Sequence, residues 1–316
     1  KVISENDQNL IVGFIEDQMR GGYKKINLIW FGGEPLLVFG IIENLSKRII
    51  ELAKKYKIKY NAFITTNGYL LTDEIIKRFS ELKINQVYIT LDGVGKTHDQ
   101  RRKLTNGKPT FEKVVKNIKL LKKYGLNVLI RMNVDKSNQK EIDALRVYVD
   151  KRLEVPLYLG LVRQYTDSCE IGPKDCFTKK EYAKIQDDFN KKRGRKSDSL
   201  KFPRQLSTYC RACKIGTFVI DPNLNLYRCE NDIGRTRNKI GNIGKPAHKK
   251  RFEDLDQQVF HNWSPFNYEK CKTCVLLPIC MGGCPFIGIK NNDPECETYK
   301  YNFDLFLKKY IMFEDA

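Results

Sequence analysis

The residues with the most chemistry in this chain are its thiols. Cys271, Cys274, Cys280 and Cys284 form a C-x2-C-x5-C-x3-C run, Cys296 follows twelve residues later, and Cys210, Cys213 and Cys229 lie upstream. Ten cysteines in 316 residues are too sparse for a disulfide scaffold. None occurs before Cys169, and eight fall between Cys210 and Cys296, a clustering that points to metal. Eight thiols suit two four-thiolate sites, and zinc and iron-sulfur clusters both take four cysteines, so the spacing leaves the metal open.

The run ends Cys280, Met281, Gly282, Gly283, Cys284, Pro285, a C-x3-C-P. In two-cluster ferredoxins the last cysteine of such a run ligates the other cluster. Cys284 is therefore expected to cross over. One site is then Cys271, Cys274, Cys280 and Cys296, and the other Cys210, Cys213, Cys229 and Cys284. Cys169 and Cys176 stand apart on the segment leaving the fifth strand, suited to cap the mouth of the strand ends or to pack as small residues, and are left unassigned.

A second group of polar and glycine residues follows successive apolar runs: Gly32, Gly33, Glu34 and Pro35; Thr66, Asn67 and Gly68; Thr90, Asp92 and Gly93; Arg131 and Asn133. Paired glycines let a ligand approach the main chain, whose carbonyls accept hydrogen bonds from an ammonium group, while proline sets the exit angle. Taken singly each is an ordinary turn. Four at successive strand ends converge on one face when the strands are parallel.

The elements that must position these residues alternate strand and helix. Expected strands are Ile26 to Phe31, Tyr60 to Thr66, Gln86 to Leu91, Asn127 to Val134 and Leu157 to Arg163. Between them, Phe111, Val114, Val115, Ile118 and Leu121 form one helix face, with Lys113, Lys116, Lys119 and Lys122 on the other. Leu10, Ile11, Phe14, Ile15 and Met19 predict an earlier helix, so a strand before residue 1 is the natural opening. Lys179 to Ser199 is charged, its first half a surface helix, and a domain boundary is expected near Ser199. Val219 to Cys229 reads as two short strands around Asp221, Pro222 and Asn223. Lys plus Arg is 57 against 38 acidic residues, a formal charge of +19 that suggests anionic partners or bound anionic groups. No apolar run reaches membrane-helix length and no signal peptide is visible, so a cytoplasmic chain with no membrane partner is expected.

Together these residues resemble the radical S-adenosylmethionine enzymes. "FGGEP" (Phe31 to Pro35), "TTNG" (Thr65 to Gly68), "TLDG" followed by His98, Asp99 and Arg102, and "RMNVD" (Arg131 to Asp135) carry the likeness, and the cysteine-rich end is similar to their SPASM extension. The resemblance implies an α/β fold, a partial (β/α)6 TIM-like barrel over residues 1–199 with a SPASM domain over 200–316. It implies two auxiliary four-iron four-sulfur clusters on the eight thiols. It also implies S-adenosylmethionine across the strand ends: Gly32, Gly33 and Glu34, followed by Pro35, at its amino group, Thr90 at its ribose or carboxylate side, and Arg102 on its carboxylate. Asn67, Asp92, Arg131 and Asn133 are further carry-overs, equally readable as loop braces.

The chain departs from the family in one respect. Members carry C-x3-C-x2-C after their first strand for a third cluster that reduces S-adenosylmethionine, and no Cys precedes Cys169. The expectation is a truncated chain whose third cluster belongs only to the intact protein; the alternative is a degenerate relative that has lost the reaction. The implied reaction is reductive cleavage of S-adenosylmethionine to a 5′-deoxyadenosyl radical that abstracts hydrogen from a peptide or protein, fed by an electron donor such as flavodoxin or ferredoxin. A ribosomal-peptide maturase forming thioether or carbon-carbon crosslinks is the first expectation, and a formylglycine-forming sulfatase-maturating enzyme the second. In the latter relatives an Asp follows the cysteine matching Cys229; here Glu230 takes that place as a candidate base. A basic zinc module for nucleic acid and a noncatalytic peptide-binding relative are the rivals. His98 is expected to shape the loop before Arg102, and His248 and His261 to be surface or packing residues.

Overall fold

The structure, a computed structural model, describes residues 2–163, 173–193, 206, 210–245 and 259–314. It divides into two compact units, Val2–Val162 and Arg163–Ala316. The expected boundary at Ser199 lies outside the described residues, as do Cys169 and His248.

The first unit alternates helix and strand: α1 (Glu5–Arg20), β1 (Lys25–Trp30), α2 (Phe39–Lys55), β2 (Lys59–Thr66), α3 (Asp73–Glu81), β3 (Ile84–Thr90), α4 (Lys96–Arg101), α5 (Phe111–Lys123), β4 (Asn127–Val134), α6 (Ile142–Tyr148) and β5 (Leu157–Leu161). All four strand pairings are parallel and the sheet order is β1-β2-β3-β4-β5. Right-handed crossovers that always advance one strand put every helix on the same face, as in a barrel wall, whereas a doubly wound sheet reverses direction.

Burial follows from that one-sided cover. In β4, Val128, Ile130, Met132 and Val134 are buried, while Asn127, Leu129, Arg131 and Asn133 on the opposite face are not. Ile64, Val87, Ile89 and Ile130 are wholly buried, each contributing about 2 kcal/mol of apolar burial. The open face carries polar and aromatic side chains instead.

Local signals place the helices. Ser4 closes a capping box on α1, its Oγ accepting from Asp7 N at 3.1 Å while Asp7 Oδ2 accepts from Ser4 N at 3.0 Å. The apolar stripe of α5 is buried as its spacing requires.

The second unit opens with α7 (Lys179–Arg193), followed by a small antiparallel sheet of β6 (Val219–Ile220), β7 (Asn225–Tyr227) and β8 (Gly241–Asn242). Asp221 makes the expected turn, its Oδ1 accepting from Asn223 N at 2.8 Å and Asn225 N at 2.9 Å. β8 has no counterpart in the sequence reading, because two residues are too few to show a period. Short helices follow: α8 (Val259–Asn262), α9 (Glu269–Lys272), α10 (Leu277–Cys280) and α11 (Pro285–Asn291), then the longer α12 (Tyr299–Glu314).

Candidate functional site

At the carboxyl ends of β1 and β2, Glu34 ties two loops together. Its Oε1 accepts from Leu36 N at 3.0 Å and Thr66 Oγ1 at 2.7 Å, and its Oε2 from Asn67 N at 2.8 Å. Pro35, buried, starts the short turn that Glu34 caps. Asn67 holds its own loop, its Oδ1 accepting from Tyr69 N at 2.8 Å. Asn117, whose role the sequence did not reveal, reaches from α5 to donate to the Gly68 and Tyr69 carbonyls.

After β3, Asp92 is the hub. It is 2 % exposed, its Oδ1 accepts from Asn133 N at 2.9 Å, and its Oδ2 from Arg102 Nε at 2.7 Å. Arg102 is thereby oriented through one nitrogen, and its terminal nitrogens make no hydrogen bond among the described residues. His98 is buried, with Nδ1 accepting from Asp92 N at 3.3 Å and its ring against Phe111. Burial pushes its pKa down to about 4, so the ring is neutral. Arg101, Asp135 and Asn138 complete the scaffold. Arg101 donates to Asp135, and Asn138 donates to the Asp92 and Asn133 carbonyls. Burial works against the Asp135 charge, but Arg101 and Ser137 outweigh it and hold the carboxyl low. Arg101 and Asn138 belong to no motif, and only the fold shows them.

The glycines divide into two kinds. At Gly68 an added β-carbon would lie 3.2 Å from Ile89, and at Gly93 2.7 Å from Thr97, so packing demands glycine there. At exposed Gly32 and Gly33 it would meet nothing within 4 Å. Their small size serves no internal contact and leaves the main chain open to a ligand. On the open face, Thr90, Arg131 and Tyr158 share a row across β3, β4 and β5, and Asn133 lies beside Gly160 in the next. Gly160 admits the Arg131 guanidinium, which a β-carbon would overlap.

In the second unit the thiols gather as two sets. Cys210, Cys213 and Cys284 pack on an apolar cluster of Ala212, Cys229, Phe260 and Phe286. Cys213 interacts with Cys210 and Cys284, Cys229 with Cys284, and Cys284 with Cys210. Separately, Cys271 interacts with Cys280, Cys296 and Cys274, and Cys280 with Cys296. None of the eight forms a disulfide among the described residues. Burial pushes Cys213 and Cys229 up to about 12 as bare thiols, so a bound cation must displace their protons. Burial raises the Cys229, Cys284 and Cys280 thiols, and nearby main-chain N–H groups oppose it in favour of the thiolate: that of Asn231 at Cys229, of Ile287 and Phe286 at Cys284, and of Glu297 and Gly282 at Cys280. Such N–H donors tune metal-bound thiolates. Four thiolates on one zinc would stand about 3.8 Å apart, by tetrahedral geometry from the usual bond length. Among the described residues no three His, Cys, Asp or Glu side chains converge on one such point. Each set offers the four thiolates that a four-iron four-sulfur cluster takes.

Glu230 stands beside the first set, its Oε1 accepting from Arg211 Nη2 at 2.5 Å, and is partly exposed. His261 is exposed on α8, and Cys176 is half-buried. Among the described residues no helix is long and apolar enough to cross a membrane.

Comparison with known proteins agrees with this geometry. The family described as the Radical SAM superfamily matches residues 5–148. A cysteine-type anaerobic sulfatase-maturating enzyme of Clostridium novyi is 27% identical over 327 residues, 95% of this chain and 86% of that protein. One of Clostridium perfringens is 26% identical over 305 residues, 89% and 81% respectively. Among solved structures, native anSMEcpe with bound AdoMet and Cp18Cys peptide superposes with TM-score 0.73 at 20% identity, covering 98% of this chain and 92% of that one. Streptococcus suis SuiB bound to S-adenosylmethionine gives 0.65 at 18%, covering 92% and 68%. These two share the fold.

Proposed function

This chain belongs to the radical S-adenosylmethionine enzymes, and we propose that it oxidises a Cys or Ser side chain of a protein substrate to formylglycine. The observation that carries the reading is the similarity to cysteine-type sulfatase-maturating enzymes over most of both chains, cysteine-rich unit included. It displaces the crosslinking maturase expected first from the sequence, and the enzyme family displaces the zinc module for nucleic acid.

When bound, S-adenosylmethionine supplies the hydrogen-abstracting radical, and the auxiliary four-iron clusters supply an electron acceptor. The residues suited to S-adenosylmethionine are those with room or spare donors. The carbonyls around Gly32 and Gly33 take its ammonium, in the space that a β-carbon would fill. Arg102, with Nε fixed by Asp92, offers its terminal nitrogens to the carboxylate. Thr90, Arg131 and Asn133 line the open face near the same strand ends. Glu34, Asn67 and Asp92 act one step back, bracing the loops that present the others.

On the substrate side, formylglycine formation removes one hydrogen atom from Cβ, then an electron and the thiol or hydroxyl proton. A Cys substrate then exchanges sulfur for the oxygen of water and releases hydrogen sulfide. Glu230 Oε2, left over when Arg211 takes Oε1, is the proton acceptor in this reading. A peptide or protein substrate and an electron donor such as flavodoxin or ferredoxin complete the system.

The test is anaerobic incubation of the reconstituted protein with S-adenosylmethionine, a reductant and sulfatase-derived peptides bearing Cys or Ser, read by mass spectrometry. An aldehyde at that residue, trapped by a hydrazine, is the expected product. A peptide that instead loses hydrogens without an aldehyde returns the assignment to crosslinking.

A further inference from the structure

We propose that Arg163 is a positioning charge shared by the two thiol sets, its guanidinium stabilising the reduced state of the iron-sulfur groups they hold. The inference rests on the cluster-bearing enzyme reading above and adds a residue that lies outside every motif.

Arg163 is the first residue of the second unit, with a side chain 13% exposed and ion-paired to Glu295. Glu295 precedes Cys296 of one set. The same guanidinium acts electrostatically on Cys284 of the other set and on Glu297. The two sets are brought together here by main-chain packing, because Gly283 seats directly against the Glu295 carbonyl. Lys179 covers Glu297, its Nζ 2.7 Å from Oε2 and its side chain 11% exposed. Two carboxylates thus flank Cys296, and each has a cation.

Four thiolates on an oxidised four-iron core leave about −2 on each cluster, and reduction adds another negative charge inside an apolar setting. A nearby fixed cation favours that reduced state, and field strength in a poorly screened site makes the effect larger than at the surface. Arginine suits the task because it keeps its charge when buried and its planar fork holds one orientation against a carboxylate. An ion pair that merely staples two loops would account for the geometry but would be indifferent to redox state.

The test is an EPR-monitored redox titration of the anaerobically reconstituted protein, with iron and sulfide counted first. In Arg163→Met the reduced-to-oxidised ratio of both auxiliary clusters at a fixed poise falls about tenfold, equivalent to 59 mV for one electron. Arg163→Lys stays near wild type, and Glu295→Gln, which removes one carboxylate charge facing the guanidinium, shifts both midpoints upward. Full cluster content with unmoved midpoints in Arg163→Met overturns the proposal, as does an equal fall in Arg163→Lys. Should Arg163→Met fail to hold its clusters, Glu295→Gln decides, and the absence of an upward shift overturns the proposal. A wild-type protein without iron-sulfur groups overturns both this inference and the enzyme reading beneath it.

Discussion

Gly283 is seated on the main-chain carbonyl of Glu295, so closely that a β-carbon would overlap the oxygen, and its φ of 72° is one that L residues rarely adopt. The residue before Cys284 of one thiol set therefore touches the residue before Cys296 of the other. Gly282 and Gly288 are packed for a related reason, with Trp263 ring atoms 2.8 Å from where each β-carbon would fall.

Replacing Gly283 by Ala is expected to destabilise the second unit by more than about 2 kcal/mol, since steric overlap and positive φ act together. Iron per reconstituted chain should fall for both sets. Retention of full iron content at wild-type thermal stability would sink the packing argument.

Gly33→Ala should behave oppositely. A methyl group there meets no protein atom within 4 Å, so unfolding stability should stay within about 0.5 kcal/mol of wild type. Binding of S-adenosylmethionine, measured by calorimetry, should weaken about tenfold, a loss of about 1.4 kcal/mol. Unchanged affinity would move the ligand away from this loop.

Cys284→Ala and Cys229→Ala should abolish the same EPR signal, leaving the other cluster intact at about four irons per chain. Cys280→Ala should remove the complementary signal. If Cys284→Ala and Cys280→Ala instead share a phenotype, the crossover is wrong.

Glu230→Gln should depress aldehyde formation at least tenfold while leaving iron content unaltered, and Glu230→Asp should restore part of the rate. The informative readout is the ratio of aldehyde to methionine released. A ratio equal to wild type would show that Glu230 moves no proton.

His98 sets an acid limit on the first unit. Its pKa is about 4 when folded against 6.5 as the ordinary value, so the unfolded chain binds the extra proton first. The stability from burying a neutral ring is complete above pH 6.5 and is lost as pH falls toward 4, up to about 3 kcal/mol. His98→Asn keeps an acceptor for Asp92 N and should flatten urea midpoints compared at pH 7 and pH 4.5. Equal pH dependence in both proteins would discount His98.

How much of this was legible before the fold was known varies by element. The strand Asn127 to Val134 was readable to the residue, because its apolar alternation runs its full length. The other four strands shifted by one or two residues at their ends, where hydrogen bonding rather than side-chain type sets the limit. The three-residue β7 and two-residue β8 pair through main-chain bonds that a sequence does not display. Glu34 reads as a candidate in the sequence, but the direction of its carboxylate is not visible there. Its carboxylate turns inward to Thr66 and Asn67, partners 32 and 33 positions away.

The sequence by itself determined the alternation of strand and helix, the side of each helix that is buried, and the thiols available to metal. These depend on residue type and near-neighbour spacing, which a linear chain carries openly. Tertiary structure alone decided that Asp92 orients Arg102 while Asn138 and Arg101 lock the loops around it. It alone decided that Gly32 and Gly33 face open space while Gly68 and Gly93 are pressed by neighbours, and that Arg163 meets Glu295 across 132 positions. Hydrogen bonds, ion pairs and free volume depend on which distant atoms fall within a few ångströms, and only chain closure in three dimensions settles that.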